Sequence, residues 1–251
     1  MGERAMHIIK AGTGERFSDL LEAFSLSGRE RACISFVGAG GKTTILYRLA
    51  QEFAEEGKRV IVTTTTHMEK PQTAFFPWKE HHASLQQLKK HVKESSFLTV
   101  GVPCIHHGME KIKGAEQWVC QEFLTMADVL LIEADGSRRM PVKIPSSHEP
   151  LVPEWTDVTI AVLGYPAIGK PIECCAYQPE ELADFLGKDK EHRLNLKDVS
   201  AIWEKDGGAR KGMKGKKLFV LNQCPKEEVT TLLAHFKDKR EIYLCEKEER
   251  P

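Results

Sequence analysis

The chain has 251 residues, of which 41% are hydrophobic and 29% charged, and its 36 Lys and Arg are balanced by 36 Asp and Glu. A chain of that length buries roughly 70–75% of its unfolded surface, so it needs neither a disulfide framework nor a structural metal to fold. A pI near 7.1 excludes a general basic footprint for nucleic acid or anionic lipid, and no apolar run reaches the roughly 18–20 residues that cross a bilayer.

From the amino terminus, Phe17, Leu20, Leu21 and Phe24 recur at helical spacing and predict a helix over 16–26. Residues 32–37 read as a strand that runs straight into a glycine cluster. A helix over 42–56 puts Ile45, Leu46, Leu49 and Phe53 on one face and stops at Gly57. The β-branched run 59–66 is the second strand. Residues 67–96 are polar, carry two prolines and hold a helix near 84–93. Next come a short strand at 97–100, a helix at 115–125, and an apolar run at 127–133 that suits a strand covered on both faces. A further strand at 158–163 precedes helical patterns at 178–186 and 196–205, a strand at 217–221, a helix at 226–237 and a last strand at 241–245. The alternation predicts an α/β fold of three layers, a mostly parallel sheet with helices on both faces. The whole of 1–251 is expected to be one domain with insertions around 67–96 and 136–156. Ligands in such folds sit beyond the carboxyl ends of the strands.

At the end of the first predicted strand stands Gly38-Ala39-Gly40-Gly41-Lys42-Thr43-Thr44. Glycines let the backbone turn tightly and aim successive N–H groups at one anion, and the helix that follows adds its positive end. In such a P-loop Lys42 reaches the β- and γ-phosphates and the Thr43 hydroxyl ligates Mg²⁺. The common Gly-x-x-x-x-Gly-Lys-Thr pattern would want glycine where this chain has Phe36. The shorter Gly38-x-x-Gly41-Lys42-Thr43-Thr44 resembles the loop of the Mur ligases and folylpolyglutamate synthetases.

The apolar run 129–132 leads into Glu133-Ala134-Asp135-Gly136-Ser137, the pattern of a Walker B strand whose acid holds Mg²⁺. Period-two geometry puts Glu133 and Asp135 on one face, and either acid suits the metal. Thr63, Thr64, Thr65 and Thr66 end the second strand, and Thr65 and Thr66 are candidates for a γ-phosphate oxygen or a Mg²⁺ water. After the acids, Arg138, Arg139 and Lys143 form a local basic patch that the zero net charge conceals. Arg138 and Lys143 are candidates for stabilising transferred charge, and the patch for holding an anionic second substrate. His148 is a candidate proton acceptor. Late in the chain, Asn222 fits the first position of the Asn-Lys-x-Asp guanine signature, but Gln223 and Pro225 stand where its Lys and Asp belong. The expected ligand is therefore ATP or an unselected nucleotide, GTP included, with Mg²⁺.

Together, Phe36–Thr44, Val62–His67 and Leu131–Pro145 resemble the YqeC family, whose members are described as accessory proteins of selenium-dependent molybdenum hydroxylases. The resemblance implies a P-loop protein that helps to make or insert a selenium-containing cofactor. Its partners would be a nucleoside triphosphate, a selenium- or molybdenum-cofactor intermediate or the hydroxylase apoenzyme, with no nucleic acid and no membrane. Cys174-Cys175, in a predicted loop, is a vicinal pair able to carry selenium, but buried small hydrophobes or plain loop thiols are the simpler account. His81-His82 and His106-His107 lack a complete ligand set and read as surface polar residues.

Seven cysteines without a Cys-x-x-Cys pair, and a start lacking an apolar signal core, fit a reduced cytoplasmic protein. Three activities fit the motifs. The first is a Mg²⁺-dependent NTPase. The second is a nucleotide-gated binding module for an apoenzyme with little turnover. The third is a Mur-like ligase or kinase, for whose acceptor domains 251 residues leave little room.

Overall fold

Seven small or apolar residues form β3 (Ala32–Gly38), and their alternation explains the layering. Ala32, Ile34 and Phe36 point to one face, while Cys33 and Val37 point to the other. The computed structural model describes residues 7–247 apart from 73, 80, 81, 107 and 116. On the first face lie α1 (Leu20–Phe24) and α2 (Lys42–Glu55), with Ile45, Leu46, Leu49 and Phe53 of α2 fully buried against the sheet. The opposite face carries α3 (His82–Glu94) and α4 (Gln117–Met126) over one half of the sheet. Over its other half lie α5 (Ile172–Cys175), α6 (Pro179–Leu186), α7 (Leu196–Glu204) and α8 (Val229–Phe236).

The remaining strands are β1 (Ile8–Lys10), β2 (Arg16–Phe17), β4 (Val60–Thr64), β5 (His67–Glu69), β6 (Phe75–Pro77), β7 (Phe97–His106), β8 (Met109–Lys113), β9 (Val129–Glu133), β10 (Val158–Gly164), β11 (Lys216–Cys224) and β12 (Ile242–Glu246). They run in the order β2-β1-β12-β11-β10-β3-β9-β4-β7-β8-β5, with β6 beside β7. The pairs from β12 through to β7, and β6 with β7, are parallel; those of β1, β2, β5 and β8 are antiparallel. This is the three-layer α/β arrangement read from the sequence. After β3 the chain first builds β4 and β7 to one side, and later β10, β11 and β12 to the other. The end of β3 therefore lies where the strand order reverses, the place where such sheets bind ligands.

Several elements differ from their sequence reading. The first helix is only five residues long because Arg16 and Phe17 pair with β1 instead. Asp19 caps it by accepting Glu22 N–H, and Glu52 of α2 accepts the N–H groups of Leu20 and Leu21 at 2.7 and 3.1 Å. Residues 67–96 are not merely polar loop, since β5 and β6 join the sheet. β7 continues past residue 100 to His106, leaving the parallel core to pair with β8. Residues 136–156 carry no regular strand or helix. Among the described residues no helix is long and apolar enough to cross a membrane.

Candidate functional site

From β3 the chain turns through Ala39, Gly40 and Gly41 into α2. Gly38 and Gly40 have φ of +93° and +76°, where a side chain is strained. A Cβ would also stand 2.3 Å from Val162 O at Gly38 and 2.1 Å from Gly164 N at Gly40. Glycine thus lets the loop backbone press directly on the end of β10. Ala39 N–H donates to Val162 O at 2.8 Å and Gly40 N–H to Met140 O at 3.0 Å. The N–H groups of Gly41, Lys42 and Thr43 have no hydrogen-bond partner among the described residues. They open the fourteen-residue helix α2, whose dipole adds partial positive charge at the same point.

Two acids face this helix end. Glu133, the last residue of β9, accepts the Thr43 hydroxyl at 2.7 Å through Oε2. Its Oε1 lies 3.6 Å from Lys42 Nζ. Asp135, just past the strand, accepts Gly38 N–H at 2.8 Å and lies 2.8 Å from Lys42 Nζ and 3.3 Å from Lys143 Nζ. Lys42 Nζ also donates to the Asp135 carbonyl at 2.6 Å. Burial alone would pull the Lys42 ammonium below its usual range. The charges of Asp135 and Glu133 more than offset that and hold it above. Lys42 is therefore a buried, charged lysine parked on two carboxylates.

Lys143 completes the network. Its side chain is 1% exposed and Nζ donates to Glu149 at 2.6 Å and to the Gly136 carbonyl at 2.8 Å. Among the described residues two lysine Nζ atoms thus face three carboxyl side chains, those of Glu133, Asp135 and Glu149. Thr64 Oγ1 donates to the Glu133 carbonyl at 2.7 Å, and Thr66 N–H donates to Thr64 Oγ1 at 3.0 Å. Thr65 Oγ1 is buried without a hydrogen-bond partner among the described residues, an uncommon state for a buried hydroxyl.

A family profile described as YqeC protein matches residues 34–180. The uncharacterized protein YqeC of Escherichia coli (strain K12) is 34% identical over 187 residues, covering 72% of this chain and 70% of its own. The chain belongs to the YqeC family. The profile match takes in the loop, the threonines, both acids and residues 136–150, and ends before β11.

In this YqeC-family chain the sequence-derived candidates divide into two groups. Lys42, Thr43, Glu133, Asp135 and Lys143 converge within one buried network. Thr44 N–H is already used within the turn, donating to Gly41 O at 3.1 Å. The basic patch is divided. Lys143 is buried, Arg139 turns outward to pair with Glu69 of β5, and the Arg138 guanidinium stands 5.6 Å over the Tyr177 ring. His148 is exposed. Asn222 is 6% exposed and donates to the Gly40 carbonyl at 2.8 Å, so its amide faces the loop.

Cys174-Cys175 belongs to the short helix α5 rather than a loop, with Cys174 exposed and Cys175 buried. His81 and His107 lie outside the described residues, and among the rest no group of three or more His, Cys, Asp or Glu is placed to hold a metal. Glu149 and Tyr177 were not found from sequence. Glu149 lies in a stretch without periodicity, and the Tyr177 ring stands 5.3 Å from Lys143 Nζ from 34 positions further along the chain. No local pattern marks either.

Proposed function

We propose that this protein binds a nucleoside triphosphate with Mg²⁺ at Gly38–Thr44 and hydrolyses it. The observation that carries the reading is the convergence of three unpaired N–H groups, Lys42 and the Thr43–Glu133 pair at one helix end. The N–H groups and Lys42 suit phosphate oxygens, which would draw the ammonium away from Asp135. The donor set fits Mg²⁺, a hard cation that keeps several waters and takes one or two carboxylates plus phosphate. Thr43 Oγ1 and Glu133, already in contact at 2.7 Å, would hold it. Bound Mg²⁺ would neutralise phosphate charge. Asp135, already held by two lysines and the Gly38 N–H, serves instead to shape the loop. Thr65 Oγ1 is a further oxygen-seeking hydroxyl beside the Glu133 carbonyl, to which Thr65 N–H donates at 3.1 Å.

The resemblance of the motifs extends the proposal to a place for this turnover in maturing a selenium-containing molybdenum hydroxylase, in the cytoplasm. One observation favours gated binding as the second reading. Lys42 and Lys143 share Asp135, so withdrawing Lys42 to a phosphate alters the charge balance of residues 136–150 through Lys143. Nucleotide would then bias that segment, and an apoenzyme partner would sense it.

Calorimetric titration with ATP and GTP, with and without Mg²⁺, combined with phosphate release, tests the reading. Wild type should bind with Mg²⁺, and Lys42→Ala and Thr43→Val should lose at least about tenfold in affinity, as expected for a lost charged contact. Absence of binding by wild type, or equal binding by both variants, overturns it. Binding without phosphate release favours the gated module.

A further inference from the structure

Asn222 and Gln223 are consecutive residues at the end of β11, where an extended strand would send their side chains to opposite faces. Both amides nevertheless reach one atom. Asn222 Nδ2 donates to the Gly40 carbonyl at 2.8 Å and Gln223 Nε2 lies 3.4 Å from the same oxygen. The backbone makes this possible. Gln223 adopts φ of +63°, and the β11–β12 register shifts between Leu221 and Cys224. Register with β10 puts Asn222 beside Gly164, the residue on which Gly40 packs.

The consequence lies on the other side of the Gly40–Gly41 peptide. A trans peptide is planar, with its C=O and N–H pointing in opposite directions. Fixing the Gly40 carbonyl towards Asn222 therefore turns the Gly41 N–H away from Asn222, and this N–H is one of the three without a partner. The preceding peptide is fixed as well, because Gly40 N–H donates to Met140 O. Gly41 has φ of +103°, where a side chain is strained, and a Cβ there would stand 2.4 Å from Asn222 Nδ2.

We infer that Asn222, assisted by Gln223, is a positioning residue that aims the Gly41 N–H at a bound phosphate and does not read the base. The inference rests on reading Gly38–Thr44 as a phosphate site. It predicts that losing the Asn222 amide weakens any triphosphate equally, whatever base it carries.

The test titrates wild type, Asn222→Leu, Asn222→Ala and Gln223→Met with Mg²⁺ and three probes: ATP, GTP and inorganic tripolyphosphate, which has no base. Both Asn222 variants should lose about tenfold or more for all three probes by the same factor, consistent with loss of one well-aligned buried hydrogen bond. Gln223→Met, which removes the longer bond, should lose less. Thermal unfolding of the unliganded variants separates the folded fraction, and affinities are compared for that fraction. A loss confined to ATP or to GTP, with tripolyphosphate unaffected, makes Asn222 a base reader and overturns the inference. So does unchanged binding of all three. If wild type binds none of the probes, the phosphate reading fails and the inference falls with it.

Discussion

Thr43 Oγ1 and Glu133 Oε2 stand 2.7 Å apart, joining the first turn of α2 to the last residue of β9. Asp135, two positions on, makes no such contact with Thr43 and instead faces Lys42, Lys143 and the Gly38 N–H. The two acids therefore divide their tasks under the proposed function, and their isosteric amides should behave differently. Glu133→Gln is expected to reduce the affinity gained on adding Mg²⁺ by at least about tenfold while leaving Mg²⁺-free binding nearly unchanged, as loss of one of few metal ligands requires. Asp135→Asn should weaken binding with and without Mg²⁺ alike. Titrations of both variants at several Mg²⁺ concentrations check this, and the reverse pattern would move the metal to Asp135.

The burial of Lys143 gives a stability prediction. Removing its charge in Lys143→Met leaves Asp135 and Glu149 facing each other's surroundings without their shared cation. Breaking a buried pair from one side costs about 3–5 kcal/mol, mostly because the abandoned charge stays desolvated. Glu149→Gln in the same chain removes one of those charges, so the double variant should recover about 1 kcal/mol or more relative to the single one. Urea unfolding of the two single variants and the double variant measures the coupling. Strict additivity would mean that Lys143 and Glu149 act independently.

The parts of this site that were legible in the sequence are those carried by local pattern. Gly38 to Thr44 and Glu133 with Asp135 sit at strand ends, where short spacing alone brings glycines, a lysine and acids into register with a helix start. Parallel strands reveal themselves by apolar runs, so β3, β9 and β10 were readable, whereas three-residue strands such as β1, β5 and β6 carry too few residues for a period to show. What was illegible depends on contacts between distant segments. Lys143 was legible as part of a basic patch beside the phosphates, but no local pattern announces that Glu149 and Asp135 would enclose it. Asn222 matched only the first position of a guanine signature that Gln223 and Pro225 break, and its contact with the Gly40 carbonyl was not legible because the turn at Gln223 is a property of the folded strand end.

The cysteines permit a check of burial independent of function. Burial pushes the thiols of Cys33 and Cys245 up to about 12 and those of Cys120 and Cys175 up to about 11, and raises Cys224 as well. Since the thiolate is the reactive form, these five should be inert in the native state. Cys174 is exposed and Cys104 half-buried. A disulfide reagent that releases a coloured thiolate should therefore report about two accessible thiols in native protein and seven after denaturation. Rapid modification of four or more would show that the sheet packing described above is wrong.

A last prediction concerns how β4 and β9 are tied together at their amino ends. Arg59 donates to Asp128 through Nε at 3.0 Å, Nη2 at 2.6 Å and its backbone N–H at 2.9 Å. These hydrogen bonds, led by the guanidinium, lower the Asp128 carboxyl from 3.8 to about 2. A carboxyl depressed in the folded state binds its proton less readily there than in the unfolded chain. Its contribution to stability is therefore complete above the unfolded value and is lost as pH falls through the folded one. Both side chains are partly exposed, so solvent screening limits the contribution to about 1 kcal/mol. Asp128→Asn should accordingly destabilise by about that amount at pH 6–7. The gap from wild type should stay constant down to about pH 4 and shrink between about pH 4 and pH 2. Urea unfolding across that range measures the gap, and a difference that grew on acidification would mean that the carboxylate opposes the fold instead of anchoring these two strands.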